Sequence, residues 1–223
     1  ALPAKPAEGA LHAGWLTDFS ERAPSLDARM AAGKALRAKV PHAAHAQYRP
    51  AAARADPVAV LEAQAKTRLP TLVPIRHARM LASPFAFLRG SAAVMAGDLA
   101  GTPVTGLSVQ ACGDAHLANF GAYGSPERRL VFDLNDFDET LPGPFEWDVM
   151  RLSSSLVVAA RSRSFTDHQA RHAVLAAVRT YRERMAEHSG MRAIVVNYAR
   201  VDGSAIVEFA DKRGRPYLQS TIR

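Results

Sequence analysis

Apolar positions recur with helical spacing in four stretches of this chain. In "DPVAVLEAQAKTR", Val58, Leu61 and Ala65 share one face, Asp56 stands at an N-cap and Pro57 fits the first turn, so a helix is expected. "SPFAFLRGSAAVMAGDLAG" reads as one helix, capped by Ser83, with Phe87, Val94 and Leu99 near one stripe and Gly101 as its stop. "PFEWDVMRLSSSLVVAARS" places Val149, Leu152, Leu156 and Ala159/Ala160 on an apolar face. "TDHQARHAVLAAVRTYRERMAEHSG" predicts a longer helix, with Ala170, Val174, Val178, Tyr181 and Met185 turned to the core and Gly190 at its end.

The rhythm shortens after Thr102. "GLSVQAC" predicts a strand that leaves sharply at Gly113, and "NFGAY" and "RRLVFDL" predict a hairpin around "GSPE". "AIVVNYARVDGSAIVEFADKRGRPYL" reads as strand, turn, strand about "DGS". Between the first two helices, Pro70, Pro74 and Pro84 break the pattern, and residues 1–56 read as an irregular or partly helical lead-in. The order implies an α+β fold, with a lead-in over 1–56 and one core over 57–223.

Composition narrows the function classes. At 223 residues and 48% hydrophobic, the chain has the composition of a globular protein. No apolar run approaches the ~18 residues of a membrane span, and "ALPAKPAEGALHAG" lacks the basic-then-apolar order of a signal peptide. The single cysteine, Cys112, allows no internal disulfide. A cytoplasmic location without a membrane partner is the expectation. The net charge of +7 raises the question of an anionic partner, but Lys and Arg are scattered without a block, which disfavours nucleic acid.

The chemistry gathers in "CGDAHLANFG" and "FDLNDFDE". Asp114 leaves the end of a strand and Asn119 opens the next one, so the loop between them can turn both side chains toward one cavity. The hairpin then carries Asp133, Asp136 and Asp138 to the same end. An amide oxygen and carboxylates are hard donors suited to Mg²⁺, which keeps several waters and is usually shared with phosphates. Asp114 is left to orient or deprotonate a hydroxyl. Phosphoryl transfer of the kinase type needs that division of labour.

At these residues the chain resembles the aminoglycoside-phosphotransferase-like kinases, whose loop is written HGDxHxxN. With "SPFAFLRG" and "FDLNDFDETLPGPFEWDVMRLSSS" added, residues 70 to 190 resemble a large bacterial family of unknown function within the protein-kinase-like superfamily. The resemblance implies a kinase-like fold, a nucleoside triphosphate such as ATP, Mg²⁺ and a hydroxyl-bearing acceptor, small molecule or protein. It makes Asp114 the general base or orienting acid, with His116 beside it bracing the loop. Asn119 and Asp133 become metal ligands, with Asp136 and Asp138 as rivals for the second position. Asp148 buttresses the loop, with Arg151 as its pairing partner, and Arg89 and Arg76 stand where phosphate could be met. Two departures accompany it: Cys112 replaces the usual His, and no G-x-G-x-x-G or strand-borne Lys is present, Lys34, Lys39 and Lys66 lacking strand contexts. In such a permuted arrangement the nucleotide-gripping segment is expected to follow Arg223. A non-catalytic kinase-like binding module and a metal-dependent hydrolase stay open beside the phosphotransferase. Cys112 reads as a small buried residue, and His42 and His45 lack further ligands around them.

Overall fold

The computed structural model describes residues 24–47, 50–209, 212, 215 and 216; the N-terminal segment read against a signal peptide and most of the chain after Phe209 lie outside them. Helix α1 (Leu26–Lys39) starts at Ser25, whose hydroxyl accepts from Ala28 N at 3.2 Å. A short 3-10 turn follows at His42–Ala46. Helix α2 (Pro57–Ala65) begins as its sequence dictates: the Asp56 carboxylate accepts from Ala59 N at 3.0 Å and Pro57 occupies the first turn. The prolines that interrupt the next stretch start helices instead of ending them. Pro70 opens a 3-10 turn, Pro74 lies in the first turn of α3 (Val73–Met80), and Pro84 opens α4 (Pro84–Gly90). A missing N–H costs nothing where no intrahelical partner exists.

The expected helix from Ser83 to Gly101 is two. α4 ends at Ser91, where φ is −118° and ψ is 36°, and α5 (Ala92–Leu99) departs from there. The Ser91 hydroxyl donates to Leu88 O at 3.1 Å, so a side chain competes with the helical ladder at the break. A Cβ at Gly90 would lie 2.6 Å from the Met80 side chain, whose flexible end would have to turn aside to admit it.

The strands form two small antiparallel sheets. β1 (Ser108–Ala111) pairs with β4 (Leu141–Pro144), with Ala111 opposite Leu141 and Ser108 opposite Pro144. β2 (Phe120–Gly124) and β3 (Leu130–Leu134) make the expected hairpin, Phe120 opposite Leu134 and Gly124 opposite Leu130. β4 carries no strand signal in "LPGP"; prolines are tolerated there because the sheet has only two strands and each is an edge. Two long helices follow: α6 (Phe145–Ser162) and α7 (Asp167–Ser189), the latter started by a capping box between Thr166 and Gln169. The expected strand–turn–strand after Arg192 is corrected within the described residues. Ala193–Asn197 is a helix (α8), Val201–Asp202 a two-residue strand (β5) pairing with β3, and Gly203–Phe209 a further helix (α9). Short β-branched runs do not separate strand from helix by periodicity alone.

The architecture is α+β, with α6 at its centre against α7, α4 and β1. The expected core face of α7 is only partly buried. Ala170 is buried, whereas Val178, Tyr181 and Met185 are 38%, 39% and 51% exposed. Tyr181 stacks on Phe145, the first residue of α6, at 6.4 Å, so the later turns of α7 have no α6 left to pack on.

The sharp exit from β1 rests on Gly113. Its φ is +81°, and a Cβ there would collide with the Glu139 carbonyl. Gly113→Ala is expected to cost about 2 kcal/mol or more, read as a lower urea midpoint with an unchanged m-value.

Candidate functional site

One face of α6 builds the site. Asp148, Arg151 and Ser155 follow at helical spacing and reach three successive points of the loop after β1. The Asp148 carboxylate accepts from Cys112 N at 2.8 Å and from Gly113 N at 3.0 Å. Arg151 grips Asp114 Oδ1 with Nε at 2.8 Å and Nη2 at 2.7 Å. The Ser155 hydroxyl accepts from Leu117 N at 2.8 Å and donates to Leu152 O at 2.7 Å. Arg151 and Ser155 are 2% and 0% exposed, so these contacts are made out of water. Arg151 also donates to Leu88 O at 2.5 Å, which ties α4 to the same point. The expected Asp148–Arg151 pairing is therefore replaced: each residue holds a different part of the loop.

Asn119 fastens the loop to the acidic turn after β3. Its Nδ2 donates to Asp114 O and Asp136 O, both at 3.1 Å, and its backbone carbonyl accepts from Asn135 N at 2.9 Å. That leaves Oδ1 as the only side-chain atom with which Asn119 could hold a cation. Asp136 Oδ1 accepts from Asp138 N at 3.1 Å, turning the chain back toward β4. Asp133 lies on β3 opposite Gly121, is exposed, and accepts from its neighbour Leu134 N at 2.8 Å.

Asp114 and His116 line a cavity of about 1020 Å³ together with Asp136, Asp138 and Glu139 and with Arg89 and Arg76; Asp133 is not among its lining residues. Of the sequence-read residues, the structure brings Asp114, His116, Asp136 and Arg89 to this space. Asn119, Asp148 and Arg151 stand behind it as the frame. Sequence reasoning missed Glu139 and Ser155. Glu139 is the last acid of "NDFDE", and Ser155 extends the Asp148–Arg151 spacing by one more turn, which is the signal that could have found it.

The electrostatics follow from partial burial. The Glu139 carboxyl is held above its ordinary value by desolvation and by the charges of Asp114, Asp136 and Asp138. Burial pushes the Cys112 thiol up, and the neighbouring carboxylates add to this, so the sulfur is not a thiolate nucleophile. The His116 imidazole is lowered by burial, and Arg151 and Arg89 outnumber Asp114 around it. Its Nε2 lies 3.7 Å from Asp114 Oδ2, and its Nδ1 is buried without a hydrogen-bond partner.

A depressed imidazole gives stability a sign. Below the ordinary value of 6.5 the unfolded chain takes up a proton at this position while the folded chain resists. Stability from His116 is present above that value and is lost as pH falls toward the folded one. Glu139, raised above 4.5, acts in the opposite sense as pH rises. Denaturation across pH 5 to 7, on the order of the histidine range, is expected to show a smaller loss toward acid in His116→Asn than in the native chain.

A family profile described as an uncharacterised protein conserved in bacteria (DUF2252) matches residues 68–223, which include the whole of this site. No curated protein matches the chain, and no solved structure does. With the match spanning well over half of its length, the chain belongs to this bacterial family, DUF2252.

Proposed function

We propose that this chain is the core of a kinase-like phosphotransferase, moving a phosphoryl group from a nucleoside triphosphate to a hydroxyl acceptor with Mg²⁺. The observation that carries the reading is the state of Asp114. Arg151 pins Oδ1, while Oδ2 has no hydrogen bond among the described residues and belongs to a residue lining a cavity that also presents further acids and arginines. A carboxylate fixed by one oxygen keeps the other for a substrate hydroxyl, which it orients and whose proton it accepts. Asp136, with Oδ1 of Asn119 behind it, is the donor set that fits Mg²⁺. No three His, Cys, Asp or Glu side chains converge as a closed metal site among the described residues, and Mg²⁺ shared with phosphates and waters needs no such cage. When bound, the metal would neutralise phosphate charge. Arg89, which lines the same cavity, would contribute to the same end.

Asp114→Asn is expected to lower turnover by about 10²–10⁴-fold. Because it also leaves Arg151 buried without its counter-charge, its melting temperature will fall, so a second variant is needed. Asp136→Asn retains the acceptor for Asp138 N and is exposed; it is expected to lose activity on the order of 10–100-fold with stability unchanged. Full activity in both variants would sink the assignment.

A second reading is a non-catalytic binding module. It is favoured by the same ion pair and by the Asn119 amide, since both hold the loop whether or not chemistry occurs. Mg²⁺ with ATP is expected to raise the melting temperature by several degrees over Mg²⁺ alone, as for a ligand near 100-fold above its Kd, where stabilisation is about 2.7 kcal/mol. That shift without turnover would select the module. A shift from Mg²⁺ alone would favour a metal-dependent hydrolase.

A further inference from the structure

The cavity that Asp114 lines is also lined by arginines. Arg68 follows α2, Arg76 and Arg79 lie one turn apart on α3, and Arg89 ends α4, yet all four line the same cavity. Chain segments that need not share a charge thus deliver four guanidinium groups to one concavity. No ion pair joins any of them to a carboxylate among the described residues, although Asp136, Asp138 and Glu139 line the same space. Opposite charges that share a cavity without touching leave a gap for a charged ligand. Arg76 is the half-buried member. It donates to Gly90 O at 2.5 Å and is lowered by burial and by the repulsion of Arg68, against the smaller opposing pull of Glu139 and Asp114. Arg68, Arg79 and Arg89 make no side-chain hydrogen bond with the described residues and keep their forks of donors for something else.

We propose that Arg68, Arg76, Arg79 and Arg89 form a subsite for a ligand carrying at least two phosphoryl groups. Linked phosphates present several oxygens that several planar forks can engage at once, whereas a single monoanion occupies one or two of them. The subsite rests on the phosphotransfer reading only for what happens to the anion next: it shares its cavity with Asp114. The linked phosphates are those of the donor nucleotide or those of an already phosphorylated acceptor.

Pyrophosphate, titrated calorimetrically into the full chain at low salt, is the probe. Binding is expected to be at least about tenfold tighter than for inorganic phosphate and to weaken as salt is raised. It is expected to weaken by about tenfold or more in Arg79→Gln and further in Arg68→Gln/Arg79→Gln. Both side chains are exposed and without side-chain hydrogen bonds to the described residues, so these variants should fold even where Arg76→Gln does not. Undetectable pyrophosphate binding, or equal affinity in the double variant, overturns the subsite. Release of bound pyrophosphate by ATP with Mg²⁺ would assign the subsite to the donor, and retention to a phosphorylated acceptor. Loss of turnover in Asp114→Asn together with unchanged pyrophosphate binding in the arginine variants would overturn the subsite and leave the phosphotransfer reading standing.

Discussion

The buried ion pair between Arg151 and Asp114 is the contact on which the rest of the site depends. A guanidinium that is 2% exposed must be neutralised and hydrogen-bonded, and here it is served by a carboxylate and by the Leu88 carbonyl. Taking those charges from water is expensive, and removing one partner of such a pair typically costs about 3–5 kcal/mol. The pair consequently fixes three pieces of chain at once: α6, which bears the arginine, the loop after β1, which bears the aspartate, and the end of α4.

Asp148 and Ser155 extend that contact into a clamp. The first holds the sharp exit from β1 by accepting two consecutive N–H groups; the second catches Leu117 N, an otherwise orphaned donor near the following 3-10 turn. Asn119 then passes the order on to the acidic turn. Apart from the small Ala111, Cys112 and Ala115, the buried residues around the loop are polar: Asp114, His116, Asn119, Arg151 and Ser155. A core of this kind is less forgiving than an apolar one, because each unsatisfied group is penalised in the low-dielectric interior. It also ties the loop down at several points, the kind of pre-organisation that the proposed orientation of a hydroxyl would need.

The cavity shows why a net charge spread along the sequence misleads. Arg68, Arg76, Arg79 and Arg89 look scattered when read in order, and no basic block announces them. The proline-started helices bring them to one cavity. The acids need no such gathering, since Asp136, Asp138 and Glu139 are neighbours in sequence and the turn merely displays them.

Local rules wrote much of the structure into the chain. Asp56, Ser83 and Thr166 each cap the helix that their spacing announces, the hairpin keeps its register through the turn residues between β2 and β3, and Gly113 exits where its sequence context says it should. Asp114 could be picked out from its place at a strand end with Asn119 five residues on, whereas Asp148, an acid in a first helical turn where acids are common, was reached through the family resemblance. Other features depended on contacts that spacing does not encode. The break at Ser91, the pairing of "LPGP" with β1, and the helices after Arg192 all reflect where neighbouring segments lie. So does the partner of Arg151, which the family resemblance implied to be Asp148 on its own helix and the fold gives as Asp114 across the loop. The sequence by itself determined the helices that carry a cap or a clear period and the one hairpin with a clear turn, because caps, turns and periodicity act within a few residues. Only the tertiary structure decided which acids share the cavity and which arginines join them there, because ion pairs and concavities are made between segments far apart in the chain.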